Sequence, residues 1–406
     1  MIIRAKVVVT MDGPPIENGA VAVFKDRIVD VGKFSEVGKD HAAEEVVDLG
    51  EQALLPGLIN AHCHLDYTCL RGKIAAQKSF TDWIRAINAE KAKLTAEDYV
   101  ASINDGFIET RRTGITTIAN LTAFPELVSQ IKAPIRTWWF AEMIDVRDPH
   151  CANETVNRAV ENLKRQAHWG LAPHAPFTAS ADLYRRSEEI AHRENVLLTT
   201  HLAESSEEMS MFRDANGKLY DFLKEIGRDM SDSGEKTSVA RFSEIFKGSS
   251  TPLGKTKRWL LVHMNELSDD DSELLSRMST GSSIVHCPRS HAYFDHARFE
   301  FHKLRELGFN ICLGTDSLAT NDDFSLFAEM RTFQKEFPDV RPEEILKMVT
   351  VNAADALRQR DALGKIAVGF LADLIAVPVE RSTPVFETIL EFDQSVTWSM
   401  TAAGVR

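Results

Sequence analysis

His62 and His64 close the run Leu55-Pro-Gly-Leu-Ile-Asn-Ala-His-Cys-His64, with one cysteine between them. In an extended strand alternate side chains share a face, so both imidazoles aim the same way and fix two coordination angles of a cation. By itself such a pair is also an ordinary edge or surface feature. Its weight comes from three further apolar runs that stop at a ligand-capable residue: Val196-Leu-Leu-Thr-Thr-His201, Trp259-Leu-Leu-Val-His263 and Phe309-Asn-Ile-Cys-Leu-Gly-Thr-Asp316. Imidazole and carboxylate together are the donor set of a divalent metal site.

The elements that must bring these residues together follow from the runs themselves. Each is short and almost continuously hydrophobic, the pattern of a buried parallel strand rather than of a half-exposed one. Further strands are expected over 115–119, 135–140 and 169–173, alternating with amphipathic helical stretches as in successive βα units. In a (β/α)8 TIM barrel all strands finish on one face, so ligands far apart in sequence converge there. The expected catalytic domain is a barrel over 57–364. Residues 1–56 read as short strands broken by turns, and β character resumes in 365–406 after a helical region over 342–357, so both termini are expected to share a small β domain. The chain has 406 residues, which suits one barrel of roughly 250 residues plus that smaller domain.

Composition narrows the partners. Hydrophobic residues make up 44% and charged residues 26%, the balance of an ordinary soluble globular protein, and no run reaches the length of a membrane span. A net charge of −13 argues against nucleic acid or an anionic membrane as partner and leaves a small molecule. The first ten residues show neither the apolar core nor the small-residue cleavage site of a signal peptide, and the five cysteines are scattered without a C-x-x-C pair, so a reducing cytoplasm is expected. Cys63 should face away from its two neighbours and pack. About sixty residues separate His201 from His263, more than a βα unit needs, and 205–258 is either a lid over the site or a solvated excursion. No extra domain is expected after the C-terminal strands. A homo-oligomer is left open.

In their order, the runs already quoted, with Ala172-Pro-His-Ala-Pro-Phe177, Thr200-His-Leu-Ala-Glu204, His286-Cys-Pro-Arg-Ser290 and Leu313-Gly-Thr-Asp-Ser317, resemble the amidohydrolase superfamily over nearly the whole chain. The branch is that of deaminases and chlorohydrolases of amino-substituted heterocycles. The resemblance implies a distorted (β/α)8 barrel with a β-sandwich built from both termini. It implies that His62, His64, His201 and Asp316 ligate one divalent ion, zinc first and Fe2+ second. The carboxylated lysine of binuclear members is absent, Pro173-His174 standing in its place. Glu204 would shuttle a proton to a ring nitrogen and then to the departing amine, while His263 and Asp316 act on the attacking water.

Substrate contacts implied in the same way are His174, His291 and an anion-binding arginine among Arg71, Arg136, Arg147 and Arg289. His291 stands where the branch commonly has asparagine. The segment Cys287-Pro-Arg-Ser-His-Ala-Tyr-Phe294 is most similar to aminodeoxyfutalosine deaminases of the menaquinone pathway, so the expected reaction is release of ammonia from an adenosine-derived nucleoside such as 6-aminodeoxyfutalosine. Adenosine, S-adenosylhomocysteine, guanine, triazine, cyclic-amide and carbon–halogen substrates stay open, because the attacking water is common to all and the pocket decides. A small zinc-type nucleic-acid deaminase is disfavoured. Its cysteine motif is missing, and the one H-x-E, His192-Arg-Glu194, reads as a solvated helix face. A non-catalytic homologue would have lost ligands that this chain keeps.

Overall fold

Alternation along the first strands sorts their side chains onto two faces. Among β1 (Ile2–Val8), β2 (Ile16–Phe24), β3 (Arg27–Lys33), β4 (Val46–Asp48) and β5 (Gln52–Pro56), Ile3, Ala5, Val21 and Val23 join one apolar cluster, whereas Ile2, Ala20 and Ala22 join another. The second cluster is closed by a helix, Phe34–Asp40, where only turns were expected; Phe34 and Val37, one helical turn apart, cover Ile2 and Ala22. The computed structural model describes residues 1–247, 259–380 and 383–402. The end of the 205–258 insertion and the last residues of the C-terminal segment therefore lie outside the described residues.

Between these ends runs a ring of parallel strands: β6 (Leu58–His64), β7 (Ile115–Thr122), β8 (Arg136–Met143), β9 (Trp169–Pro173), β10 (Leu197–Leu202), β11 (Trp259–His263), β12 (Ser282–His286), β13 (Asn310–Leu313) and β14 (Asp316–Ser317). The order is β13-β12-β11-β10-β9-β8-β7-β6-β14. β13 and β14 are two halves of one strand, so the sheet closes on itself as an eight-stranded (β/α)8 barrel. The link is Gly314, whose N–H bonds His286 O while Thr315 N–H bonds His62 O on the opposite side. A Cβ at Gly314 would lie 2.8 Å from the His62 carbonyl oxygen, so only glycine lets the strand cross the seam.

Ile59, Ala61, Trp138, Phe140, Leu260 and Val262 belong to the cluster inside the barrel. Their sequence neighbours Leu58, Trp139 and Leu261 belong to the larger layer between strands and helices. The helical region after 342 is two helices, Pro342–Met348 and Val351–Ala356, and Ala353, Ala354 and Ala356 plug the inner cluster. The chain then returns to the first sheet. β15 (Leu374–Pro378) pairs antiparallel with β5 and with β16 (Trp398–Met400), giving a seven-stranded sheet forked at β1, which pairs both β4 and β5 on one side.

Candidate active site

Strand parity alone would turn His62 and His64 the wrong way. Ile59 and Ala61 point into the barrel, so even-numbered residues of β6 should point out. The register between β6 and β7 slips between Asn60 and Cys63, and beyond this bulge the parity is reversed. Cys63 then joins the outer layer, in contact with Ala119 O and Asn120 Oδ1, and the two histidines face inward. A second reversal occurs at the end of β11. Leu260 and Val262 point in, yet His263 also lines the central cavity, because its backbone is left-handed at φ 76°. Asp316 is left-handed too, at φ 54°. Such conformations cost a side-chain-bearing residue about 1–3 kcal/mol and persist where the surroundings impose them.

These devices bring His62, His64 and His201 together with one ligand nitrogen from each inside 4.8 Å of the others. Asp316 Oδ1 lies 3.7 Å from His62 Nε2 and 3.8 Å from His64 Nε2. In His201 the second ring nitrogen is set by a neighbour: Nδ1 is 3.0 Å from His174 O, which leaves Nε2 free to ligate. Ser290 donates to Asp316 Oδ2 at 2.7 Å and fixes the carboxylate plane. Both ring nitrogens of His62 are buried with no hydrogen-bond partner among the described residues. An orphaned imidazole at the centre of three other donors is what a cation would satisfy. Burial and the neighbouring His174 and His62 hold His201 down to about 3, and burial likewise pushes His64 well below its usual range, so both are neutral and ready to ligate. Burial opposes ionisation of Asp316, but the His62 contact and the nearby His263 outweigh it and keep the carboxylate charged.

Beside this cluster stands a second pair. Glu204 Oε1 is 3.5 Å from His263 Nε2. Burial, with Asp316 and Glu208 nearby, pushes the Glu204 carboxyl well up, and burial with His201 alongside pushes His263 well down, so the pair holds its proton on the carboxyl. The loop carrying Glu204 is pinned by Glu208, which accepts Ala203 N–H at 3.2 Å and Glu204 N–H at 2.8 Å, and by Asn265, which donates to Glu204 O at 3.0 Å.

The cluster floors a cavity of about 560 Å³. Its wall is apolar: Phe80, Trp83 and Ile87 from the helix Phe80–Lys91, Phe222 and Leu223 from the helix Lys218–Glu225, and Phe177. The second helix belongs to the 205–258 excursion, which therefore reaches the site. Lys218 pairs with Asp82 at 2.8 Å and Arg85 with Glu225, so the two helices are tied across the mouth, and Glu207, on the helix Ser206–Asp214, accepts the N–H groups of Phe80 and Thr81.

Not every expected contact residue arrives. His174 lines the cavity, with Nδ1 held 2.6 Å from Thr178 Oγ1, and Arg147 stands exposed at its rim. Arg71 is bound to Glu109 instead, and Arg289 to Asp322 and Asp323. Arg136 opens β8 at the far end of the barrel, 3.5 Å from Asp373. His291 is buried outside the cavity, its Nδ1 3.0 Å from Asn265 Oδ1, so it braces the loop of Glu204 rather than meeting a ligand. The sequence reading missed Glu142 and the aromatic wall. Glu142 had the same signal as the others, an apolar strand ending in a ligand-capable residue; the wall had none, since Phe and Trp at helical spacing read as core.

Residues 53–398 fit the model of the amidohydrolase family. The chain belongs to that family. Among relatives, this amidohydrolase is 31% identical over 399 residues to a 5-methylthioadenosine/S-adenosylhomocysteine deaminase of Syntrophobacter fumaroxidans, covering 93% of this chain and 84% of the relative. Among solved structures it resembles Helicobacter pylori aminofutalosine deaminase in complex with methylthio-coformycin, with a TM-score of 0.86, 21% identity and 99% of each chain covered. It also resembles an adenosine deaminase from Xanthomonas campestris with bound zinc, with a TM-score of 0.80, 24% identity and coverage of 99% and 91%. Amidohydrolases are metal-dependent enzymes, and the three-histidine cluster is the place in this one where an ion fits.

Proposed function

We propose that this amidohydrolase is a hydrolytic deaminase of an adenosine-derived nucleoside, replacing the exocyclic amine of the purine by oxygen and releasing ammonia. The observation that carries the reading is the buried Glu204–His263 pair, 3.5 Å apart, set against the three-histidine cluster: a carboxyl, an imidazole and the ligands for a cation share one floor. His62, His64, His201 and Asp316 are its ligands, and Zn2+ is the ion we favour, as in the structurally similar adenosine deaminase with bound zinc. When bound, the ion supplies Lewis acidity that brings the pKa of water toward neutrality.

The residues then divide the proton traffic. Glu204 gives its proton to the ring nitrogen beside the amine-bearing carbon, which makes that carbon electrophilic. Water adds there, with the Asp316 carboxylate and neutral His263 as acceptors for its protons. Glu204, ionised after the first transfer, takes a proton from this side and delivers it to the amine, which leaves as ammonia. Phe177 and the aromatic wall exclude water and flank the ring, and His174, held by Thr178, orients it. Arg147 at the rim suits an anionic group on the 5′ side, as in 6-aminodeoxyfutalosine, the substrate we favour over 5-methylthioadenosine and S-adenosylhomocysteine. The relative of Syntrophobacter, named for deamination of the last two, supports the nucleoside class. The charge and the absence of a membrane-length apolar helix among the described residues fit a cytoplasmic setting.

The test is ammonia release by zinc-loaded and chelator-treated protein from 6-aminodeoxyfutalosine, 5-methylthioadenosine, S-adenosylhomocysteine, adenosine, guanine and an aminotriazine. Metal-dependent release from a nucleoside supports the reading. Release only from guanine or the triazine, or from none of the panel, overturns it.

A further inference from the structure

The neighbouring strands β10 and β11 stay laced together past their ends. Met264 N–H bonds Leu202 O, and the N–H groups of Asn265 and Glu266 both bond Ala203 O. The next acceptor, the carbonyl of Glu204, is taken by a side chain, Asn265 Nδ2, at 3.0 Å. The backbone is left-handed at Ala203, His263 and Met264, a conformation that persists where neighbours impose it. Asn265 thus spans the two loops of the Glu204–His263 pair: it follows His263 by two residues and holds Glu204 by its carbonyl. Asn265 is itself held. Its Oδ1 lies 3.0 Å from His291 Nδ1, and both side chains are buried.

Chemistry fixes the donors along this chain of contacts. A carbonyl oxygen only accepts, so the Asn265 amide turns its nitrogen to Glu204 and its oxygen to His291, whose Nδ1 must carry a hydrogen. A buried histidine in this region can serve packing alone. His286, its ring 5.2 Å from that of His291, lies flat on Phe299 and has no partner for either ring nitrogen among the described residues. His291 differs in directing its ring to the group that joins the two loops of the reacting pair. It sits on the helix Pro288–Phe294 beside Ser290, the donor to Asp316, so one short helix supports both sides of the floor. We propose that Asn265 and His291 are positioning residues of the reaction, a hydrogen-bonded relay that holds Glu204 against His263. This rests on the nucleoside-deaminase reading, in which that pair moves the protons, and adds to it two residues that lie outside the cavity lining.

The experiment compares zinc-loaded wild type with His291→Leu, His291→Asn, Asn265→Leu and the double leucine variant. It reads kcat, KM, bound zinc and melting temperature on the best substrate among adenosine, 5-methylthioadenosine and 6-aminodeoxyfutalosine. Leucine and asparagine branch at Cγ as histidine does, but only asparagine places an N–H near the position of Nδ1. His291→Leu and Asn265→Leu should each lower kcat roughly tenfold to a hundredfold with KM and zinc kept, because a misplaced proton donor costs rate rather than binding. His291→Asn should recover most of that rate, which a packing role, better served by leucine, does not predict. The double variant should be no slower than Asn265→Leu alone, since both act through one hydrogen bond to Glu204. Should His291→Leu fail to fold, Asn265→Leu decides by the same loss of kcat at kept KM. Unchanged kcat in the leucine variants, an asparagine variant as slow as the leucine one, a loss falling in KM or zinc, or multiplying losses in the double variant would each overturn the relay and leave the nucleoside reading standing. A wild type that deaminates no nucleoside sinks that reading and the relay with it.

Discussion

The strand ends carrying His62, His201 and Asp316 are held by parallel pairing within a closed ring, whereas Phe80, Trp83 and Phe222 stand on two helices joined by a small apolar cluster and exposed ion pairs. The floor accepts strain to aim its groups: a bulge in β6 and left-handed backbone at His263 and Asp316. The wall shows no comparable strain and offers shape and apolar area. Reactive groups need placement to fractions of an ångström, which a ring of strands provides, while recognition of an apolar surface tolerates helices that shift. The difference assigns chemistry to the floor and choice of substrate to the wall.

The comparison breaks most visibly at a ligand. His201→Ala should abolish bound metal and turnover together, measured by metal analysis of the purified protein beside an ammonia assay; a variant keeping either one would separate this histidine from the floor. Next in size, Glu204→Gln should retain the metal and lose kcat by roughly a hundredfold to ten-thousandfold. Unchanged turnover would remove Glu204 from proton transfer. On the wall, Phe222→Ala should raise KM about tenfold and leave kcat nearly intact, since the ring supplies apolar contact rather than chemistry. A kcat effect as large as that of Glu204→Gln would erase the distinction between the two regions.

The smallest effect concerns the supports behind the floor. Glu329 accepts Arg289 N–H at 2.9 Å and Asn321 Nδ2 at 2.7 Å, and Asn321 also bonds Thr315 O beside Asp316. Burial raises Glu329 from 4.5 to about 8 and Glu208 from 4.5 to about 7. Both carboxyls bind a proton more tightly folded than unfolded, so the stability they contribute is present below pH 4.5 and is lost as pH rises toward 7 and 8. Melting temperature measured from pH 5 to 9 should fall across that window, and Glu329→Gln should flatten the fall; a slope unchanged in the variant would show that Glu329 does not titrate there.

Much of this molecule was legible in one dimension. Apolar runs ending in His64, His201, His263 and Asp316 expose both the strands and the groups they carry, because a buried parallel strand is hydrophobic throughout and its last residue stands out. The arginines were not legible. A guanidinium at Arg71, Arg136 or Arg289 looks the same in sequence whether it meets a substrate or, as here, Glu109, Asp373 or Asp323.

The sequence by itself determined most of the barrel strands, the donor types of the floor and their order along the chain, since hydrophobic period and residue chemistry are local properties. Tertiary structure alone decided which way the donors face and what they meet. His62 and His64 point inward only because pairing with β7 slips by a bulge, and His263 only because its backbone is left-handed. Glu142 reaches the chamber beside His64, and Phe222 closes it from a helix tied to another by an ion pair between residues 140 apart in the chain. Register, backbone hand and long-range packing arise from closing the ring, and no window of local sequence contains them.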